Sequence, residues 1–369
     1  MIFEEIILRK GRSKMKIGIF EPFPLNFSMT GGGGVVLQNI LAILKKRGYS
    51  VHLFSPFIDK VTSSLLSNLT DKIISLHFKK LNSDLAIFGI TRLYSVLLYF
   101  LHKFFDYSYD YTICSTYDNL IGSFDFGYVH FPSRKYFKLN DIKNVRNVKD
   151  LVNFITSVKL GENTRMIAVN SSFTLRLLKE KINRSADVLY PPVKLIECDS
   201  IDEKDDIVVS LGRIVRDKNY DLVINIAKKF PRLKFIIIGR VQDSQYYNEL
   251  LSKSPSNVIF LTNASEDDKR KILCKAKVIL HAKVKEPFGI SVVEGMSTGA
   301  VPVVHKSGGS WIDIIEEGKY GYGYLTEEEA VESLYQALNN ESLRKEVKER
   351  AKLFNTINFE EKFLKITNL

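Results

Sequence analysis

The sequence predicts an α/β protein of two domains, each a parallel sheet with helices on both faces. Three observations carry that expectation. Short β-branched runs alternate with amphipathic stretches along most of the chain. The alternation breaks once, at YPPVKLIECDSIDEKDD (190–206), whose paired prolines and acidic run read as a linker, and then restarts as a second complete series. A chain of 369 residues is about what two domains need at roughly 150 residues each.

Taken in order, KIGIF (16–20) reads as a strand, followed by a loop and a helix from about Gly34 to Lys46 that ends at Gly48. SVHLF (50–54), YTICS (111–115), FGYVH (126–130), RMIAV (165–169) and DVLYP (187–191) read as further strands, with SSFTLRLLKEKI (171–182) as a helix among them. Beyond the linker, IVVSLGR (207–213), KFIIIG (234–239), NVIFLT (257–262), KVILHA (277–282) and VPVVH (301–305) are expected strands. Helices are expected over 217–229, 244–253, 265–276, 289–298 and 310–317, and again from Glu327 to the end. The expected division is 1–14 as an extension, 15–195 and 196–354 as the two domains, and 355–369 as a C-terminal helix packing back on the first domain. Two such lobes on one linker would create a cleft, and ligands of open α/β sheets bind beyond the carboxyl ends of the strands. Functional residues are therefore sought just after strands.

Composition narrows the class. Apolar residues make up 45% of the chain, enough for two ordinary cores. A net charge of +11 implies an anionic partner, such as nucleotide phosphates or an anionic membrane surface. No Lys/Arg block of tail length appears, so nucleic acid is not an expected partner. The three cysteines, Cys114, Cys198 and Cys274, are far apart and are expected as core thiols in a reducing cytoplasm, without disulfide or zinc site. The N-terminus carries Glu4 and Glu5 where a signal peptide would be positive. The apolar segment 86–105 contains Arg92, His102 and Lys103, and its unbroken run from Leu93 to Leu101 falls short of the ~20 residues a span requires. It is expected as a buried or half-buried helix of the first lobe, with a membrane-contacting helix as the alternative, and the protein as cytoplasmic, with peripheral contact to the membrane.

Four stretches fall at strand ends. TGGGGVVL (30–37) opens a helix with four glycines, which let backbone N–H groups approach an anion at the helix N-terminus. YVHFP (128–132) puts His130 at the end of a strand. SLGRIVRDKN (210–219) brings Arg213 and Lys218, a fork and a point charge suited to a diphosphate, to one strand-to-helix turn. EPFGISVVE (286–294) sets Glu286 in a loop beyond a strand and Glu294 more than a turn into the following helix, which the amides of Phe288, Gly289 and Ile290 begin. A second pair at this spacing, Glu341 and Glu349, lies in a charged helical run and reads as a solvated face. Carboxylates accept hydrogen bonds from vicinal hydroxyls while amides hold phosphate, so a nucleotide sugar matches the first pair, ribose on Glu294 and the transferred hexose near Glu286.

At this point the sequence resembles glycosyltransferase family 4, retaining enzymes of the GT-B architecture: two Rossmann-like parallel α/β domains facing a cleft. The family's Glu-x7-Glu signature matches EPFGISVVEGMSTGAVPVV, and GGGGVVLQNI, YVHFPS, VNSSFT, YPPV, SLGRIVRDKN and SGGSWIDII fall in the expected order. GGGG, YVHFPS, VNSSFT and VVHKSGGSWIDII are similar to the branch of GDP-mannose-dependent α-1,2-mannosyltransferases that elongate lipid-linked oligosaccharides.

The resemblance implies roles. Arg213 and Lys218 would neutralise the donor diphosphate, Glu294 would bind the ribose and Glu286 the transferred sugar. Gly289 and Ile290 would contribute amides, with Phe288 beside them. His130 would touch the donor sugar near its reacting carbon, and Gly32, Gly33 and Gly34 would lie near the phosphates and acceptor. It further implies front-face attack with retention, a GDP- or UDP-sugar as donor and a glycan or lipid-linked saccharide as acceptor. No obligatory metal or cofactor is expected, since Asp-x-Asp occurs nowhere in the chain. The region before YVHFPS is short for the family, which leaves acceptor recognition least defined. Arg134, Lys135, Lys138, Lys143, Arg146 and Lys149 form a basic strip that faces anionic lipid or is merely solvated. Mannose from GDP-mannose is the first expectation and glucose from UDP-glucose the second. A nucleotide-sugar epimerase of the same fold and a non-catalytic nucleotide-sugar-binding subunit are the alternatives.

Overall fold

The computed structural model describes residues 14–22, 25, 31–75, 109–118, 122–132 and 164–369. Residues 1–13 of the expected extension, the apolar segment 86–105 and the basic strip Arg134–Lys149 lie outside the described residues. No described helix is long and apolar enough to cross a membrane. The chain divides into two compact units: Met1–Val169 with Leu177–Leu189 and Glu360–Leu369, and Asn170–Arg176 with Tyr190–Phe359.

The first unit holds a parallel sheet ordered β3-β2-β1-β4-β5-β6-β7. Its strands are β1 Lys16–Phe20, β2 Ser50–Ser55, β3 Lys72–Ser75, β4 Tyr111–Cys114, β5 Phe126–Val129, β6 Met166–Val169 and β7 Asp187–Val188. Helix α1 (Gly32–Lys46) buries Val36, Leu37, Ile40, Leu41, Ile43 and Leu44, the one-sided stripe of a helix lying on a sheet. Helix α2 is Lys60–Leu66, and α3, Ser172–Ile182, belongs to this unit from Leu177 onward. The strand β3 has no counterpart among the expected strands, because KIIS is only four residues long. Residues 360–369 belong to this unit, where Phe363 meets Phe126 edge-on at 5.5 Å and Glu360 pairs with Lys46 at 2.9 Å.

The second unit holds a parallel sheet ordered β10-β9-β8-β11-β12-β13. Its strands are β8 Asp205–Leu211, β9 Lys234–Ile238, β10 Val258–Leu261, β11 Ala276–His281, β12 Val301–His305 and β13 Tyr322–Tyr324. The helices are α4 Tyr220–Lys229, α5 Ser244–Lys253, α6 Glu266–Lys275, α7 Ile290–Ser297, α8 Glu327–Asn339 and α9 Leu343–Ala351, while α10, Thr356–Thr367, starts in this unit and from Glu360 belongs to the first. Alternate strand residues serve opposite layers: Val208, Phe235, Ile237, Val278 and Leu280 join one cluster, and Val209, Ile236, Ile238 and Ile279 another. The period of two is why these runs are continuously apolar, since both faces of the sheet are covered. The expected linker is packed at its start, with Tyr190 5.7 Å from Phe288 and 5.1 Å from Phe354.

Two expectations need correction. The helix expected over 310–317 is a wide π turn, Ser310–Ile314, followed by left-handed backbone at Glu316 (φ 47) and Glu317 (φ 54) that stops any helix. Cys198 and Cys274 are not core thiols but are joined by a disulfide, their Cα atoms 5.6 Å apart, while Cys114 alone is a buried thiol. Their separation of 76 positions hid a contact that only the return of α6 beside the linker creates, and the cysteines no longer argue for a reducing compartment.

The loops leaving β8 and β9 pass each other so closely that a Cβ on Gly239 would stand on the carbonyl oxygen of Gly212. Gly239→Ala is therefore expected to lower the melting temperature by about 5 °C or more, as backbone clashes of ~2 kcal/mol do in a domain of this size. Thermal unfolding of the purified variant checks this, and an unchanged midpoint contradicts it.

Candidate functional site

In the second unit the site grows from the pairing of β8 with β11. The loops that follow these two strands are neighbours, so Lys218 and Glu286, 68 positions apart, meet with Nζ 2.5 Å from Oε2. The same oxygen accepts from His281 Nε2 at 3.0 Å, and Lys283 Nζ stands 3.9 Å from Oε1 while pairing with Asp217 at 2.6 Å. Lys218 and Glu286 are only 15% and 12% exposed, so water screens this pair weakly. Burial alone would raise the Glu286 carboxyl, but Lys218, His281 and Lys283 outweigh it and hold the group far below the usual carboxylate range. Burial lowers His281, leaving it a neutral ring that donates. Glu286 is thus a permanent anion that can only accept hydrogen bonds.

The loop carrying Glu286 is fixed by backbone. Gly309 N donates to the Glu286 carbonyl at 2.8 Å, and Ser307 Oγ takes the Lys285 amide at 2.8 Å. Lys285 (φ 53) and Gly308 (φ 82) supply the left-handed backbone that brings the two loops side by side. A Cβ on Gly308 would meet the Glu286 carbonyl oxygen at 2.3 Å. The loop ends at Gly289 (φ 118), the N-cap of α7, whose first turn receives no side-chain cap. Phe288 is an anchor: its ring is 3% exposed and packs on Tyr190 and Phe354, so only its backbone can face a ligand.

The two glutamates of the motif do not grip one partner. Glu294, on α7, pairs with Lys269 of α6 at 3.0 Å, and Lys269 also reaches Glu266 at 2.7 Å. Burial raises the Glu294 carboxyl, with Lys269 opposing. Arg213 and Lys218 also part company. Arg213 is exposed and donates to Gln242 at 3.0 Å, while Lys218 is drawn onto Glu286.

In the first unit, the carboxyl ends of β1, β4 and β5 gather a second polar group. Glu21 Oε2 accepts from Ser115 Oγ and Thr116 Oγ1, each at 2.8 Å, and is 3% exposed. His130 follows β5; its Nε2 lies 3.1 Å from the Ser115 carbonyl, so that nitrogen carries the hydrogen. Burial pushes the ring down to about 4, which keeps it neutral. Asp118 Oδ1 takes the amides of His130 at 2.6 Å and Phe131 at 3.0 Å and so fixes the turn that aims the imidazole. Gly31 is the N-cap of α1, and Gly33 lies against the His130 ring, where a Cβ would be 3.6 Å from Nε2. The glycine loop and His130 are thus brought together.

Sequence reasoning missed His281, Lys269, Lys283, Glu21 and Asp118. His281 closes β11 and satisfied the same strand-end criterion that found His130. Lys269 had no signal, since it lies in a charged run that reads as solvated.

Burial raises the Asp118 carboxyl, against its two amide donors, to about 7. Since the folded state holds this proton more tightly than the unfolded chain, its contribution to stability falls as pH rises from about 4 through about 7. Asp118→Asn keeps an oxygen for both amides, so its melting temperature relative to the parent is expected to climb by about 5 °C or more between pH 5 and 8. Differential scanning calorimetry across that range tests the expectation, and a pH-independent difference contradicts it.

Residues 195–354 match the family model for glycosyl transferases group 1. The chain is 30% identical over 248 residues to a mouse protein named GDP-Man:Man(3)GlcNAc(2)-PP-Dol alpha-1,2-mannosyltransferase, covering 55% of this chain and 50% of that protein. It is 28% identical over 289 residues to the human protein of that name, covering 64% and 59%. The chain thus spans about half the length of the curated relatives it matches. Among solved structures, WaaG, a glycosyltransferase involved in lipopolysaccharide biosynthesis, superposes with a TM-score of 0.66 at 13% identity, covering 96% of this chain and 100% of that one. The sucrose-phosphate synthase of Thermosynechococcus elongatus gives 0.72 at 15% identity, covering 96% and 98%. The expected fold class, two parallel α/β domains of the GT-B kind, is the one these structures share. The match to glycosyl transferases group 1 falls within the second unit of this chain.

Proposed function

We propose that this protein is a retaining hexosyltransferase that moves mannose from GDP-mannose to a lipid-linked saccharide. The observation that carries the reading is the Lys218–Glu286 pair, held at 2.5 Å on the adjoining ends of β8 and β11 beside the uncapped N-terminus of α7. It provides cationic charge for a diphosphate and a permanent acceptor for sugar hydroxyls within one loop cluster. The names of the mouse and human relatives supply the donor and the kind of acceptor.

In this reading Lys218 and Arg213 carry the charge that develops on the departing diphosphate, and the amides of Gly289 and Ile290 add to them. Glu286 accepts from the hydroxyls of the transferred sugar and Glu294 from the ribose. His130, whose one N–H is held by the Ser115 carbonyl, contacts the donor sugar near its reacting carbon, with Gly32, Gly33 and Gly34 beside the phosphates. The acceptor hydroxyl attacks the anomeric carbon on the face the diphosphate leaves. Its proton passes to a donor phosphate oxygen, and the glycosidic bond forms as the carbon–oxygen bond to the diphosphate breaks. No metal is assigned a role. The acceptor's lipid places the work at a membrane surface, with the protein peripheral on the cytoplasmic side.

Incubation with radiolabelled GDP-mannose and a mannose-terminated, lipid-diphosphate-linked oligosaccharide tests this. Label is expected in the lipid fraction, with α configuration by NMR and undiminished in EDTA. Consumption of GDP-mannose without transfer, or transfer from UDP-glucose alone, overturns the assignment. Lys218→Met is expected to lower kcat by about 10²–10³, the usual cost of losing one preorganised donor to a leaving group. Steady-state rates decide it, and a wild-type kcat removes Lys218 from the leaving group.

A further inference from the structure

We propose that Lys269 is a positioning residue of the nucleoside subsite: from α6 it grips one oxygen of Glu294 and leaves the other presented to the hydroxyls of a ribose. The inference rests on the assignment of Glu294 to the donor's ribose made above.

The geometry is that of a bridge from solvent to an enclosed carboxylate. Lys269 Nζ lies 3.0 Å from Glu294 Oε1 and 2.7 Å from Glu266 Oε2. Glu266 is 88% exposed, whereas Lys269 and Glu294 are 17% and 18% exposed. A solvated pair one turn apart on a helix contributes little and gives no reason for a long, strongly hydrated side chain to lie inward. The enclosed partner does. Among the described residues Lys269 is the one side chain that donates a hydrogen bond to Glu294, and it meets Oε1 only. A hydrogen bond at one oxygen restricts rotation of the carboxylate and so favours one direction for the lone pairs of Oε2.

The helix that carries the ammonium is itself immobilised at both ends. Its N-terminus closes in a capping box, Ser265 with Asp268, and at its C-terminal end Cys274 is bonded to Cys198. Lys204 also donates to the Cys274 and Thr298 carbonyls, each at 2.7 Å, tying the ends of α6 and α7 together. Lys269 and Glu294 therefore sit on two helices held in register, as a positioning contact requires.

Charge is the second part of the effect. Burial drives the Glu294 carboxyl up and Lys269 holds it back, while the same pairing leaves Lys269 raised despite its own burial. The charged groups acting on Glu294 are Lys269 and Glu266, both on α6. Without the ammonium Glu294 would lose both its orientation and part of its charge, and a neutral carboxyl accepts a weaker hydrogen bond than a carboxylate.

Calorimetric binding of GDP and of 2′,3′-dideoxy-GDP to the full chain tests the proposal, with wild type, Lys269→Met, Lys269→Arg and Glu294→Gln. Wild type should prefer GDP, and Lys269→Met should lose about tenfold toward GDP while binding the dideoxy nucleotide as wild type does. Lys269→Arg should hold GDP within about threefold, and Lys269→Met should add nothing in the Glu294→Gln background. In turnover, Lys269→Met should raise KM for the sugar nucleotide with kcat unchanged. Equal loss of both nucleotides marks a merely structural lysine and overturns the inference, as does wild-type binding of both. A wild type that does not distinguish the two nucleotides, or binds neither, fails at the ribose assignment itself and takes this inference with it.

Discussion

An anionic carboxylate, nearly enclosed by protein, survives at Glu286 only because cations and a donating imidazole surround it. Lys218 comes from the loop after β8, while His281 and Lys283 come from the strand and loop of β11. The hydrogen-bonded pairing of β8 with β11 is what makes those loops neighbours. Remove that adjacency and the carboxyl would take up a proton, exchanging a permanent acceptor for a group that both accepts and donates. The bonds between the Glu286 loop and residues 307–309 then hold the carboxylate where the start of α7 can share a ligand with it.

The two glutamates of EPFGISVVE answer to opposite balances. At Glu286 the surrounding cations win over burial, and at Glu294 burial wins over a single lysine. A loop position gathers charge from several strand ends, whereas a position on the second turn of a helix sees only the face of the helix beside it. That difference suits one carboxylate to a permanently charged task and leaves the other dependent on its neighbour for orientation.

The first unit follows the same rule with different chemistry. Glu21, Ser115, Thr116, Asp118 and His130 collect where β1, β4 and β5 end, because side chains inside a doubly covered sheet must be apolar and polar ones can gather only at its rim. Burial there works against charge rather than for it: His130 is kept neutral and Asp118 is pushed toward protonation. A neutral imidazole whose hydrogen is fixed by a carbonyl acts as an oriented dipole.

The sequence by itself determined the elements and their order. Runs such as KFIII and VPVVH, and the amphipathic stripe of α1, are local signals, because apolar periodicity and β-branching act over a few residues. It also marked His130, Lys218, Glu286 and Glu294, since strand-end positions can be counted along the chain. Where neighbouring backbone decides, the reading failed, as with the π turn at Ser310–Ile314 in place of a helix. Tertiary structure alone decided which charges meet. Lys218 with Glu286, Lys269 with Glu294 and Cys198 with Cys274 are contacts across 68, 25 and 76 positions. Such partners depend on strand order and helix return, and a charged residue looks the same in sequence whether it ends in water or beside a buried carboxylate.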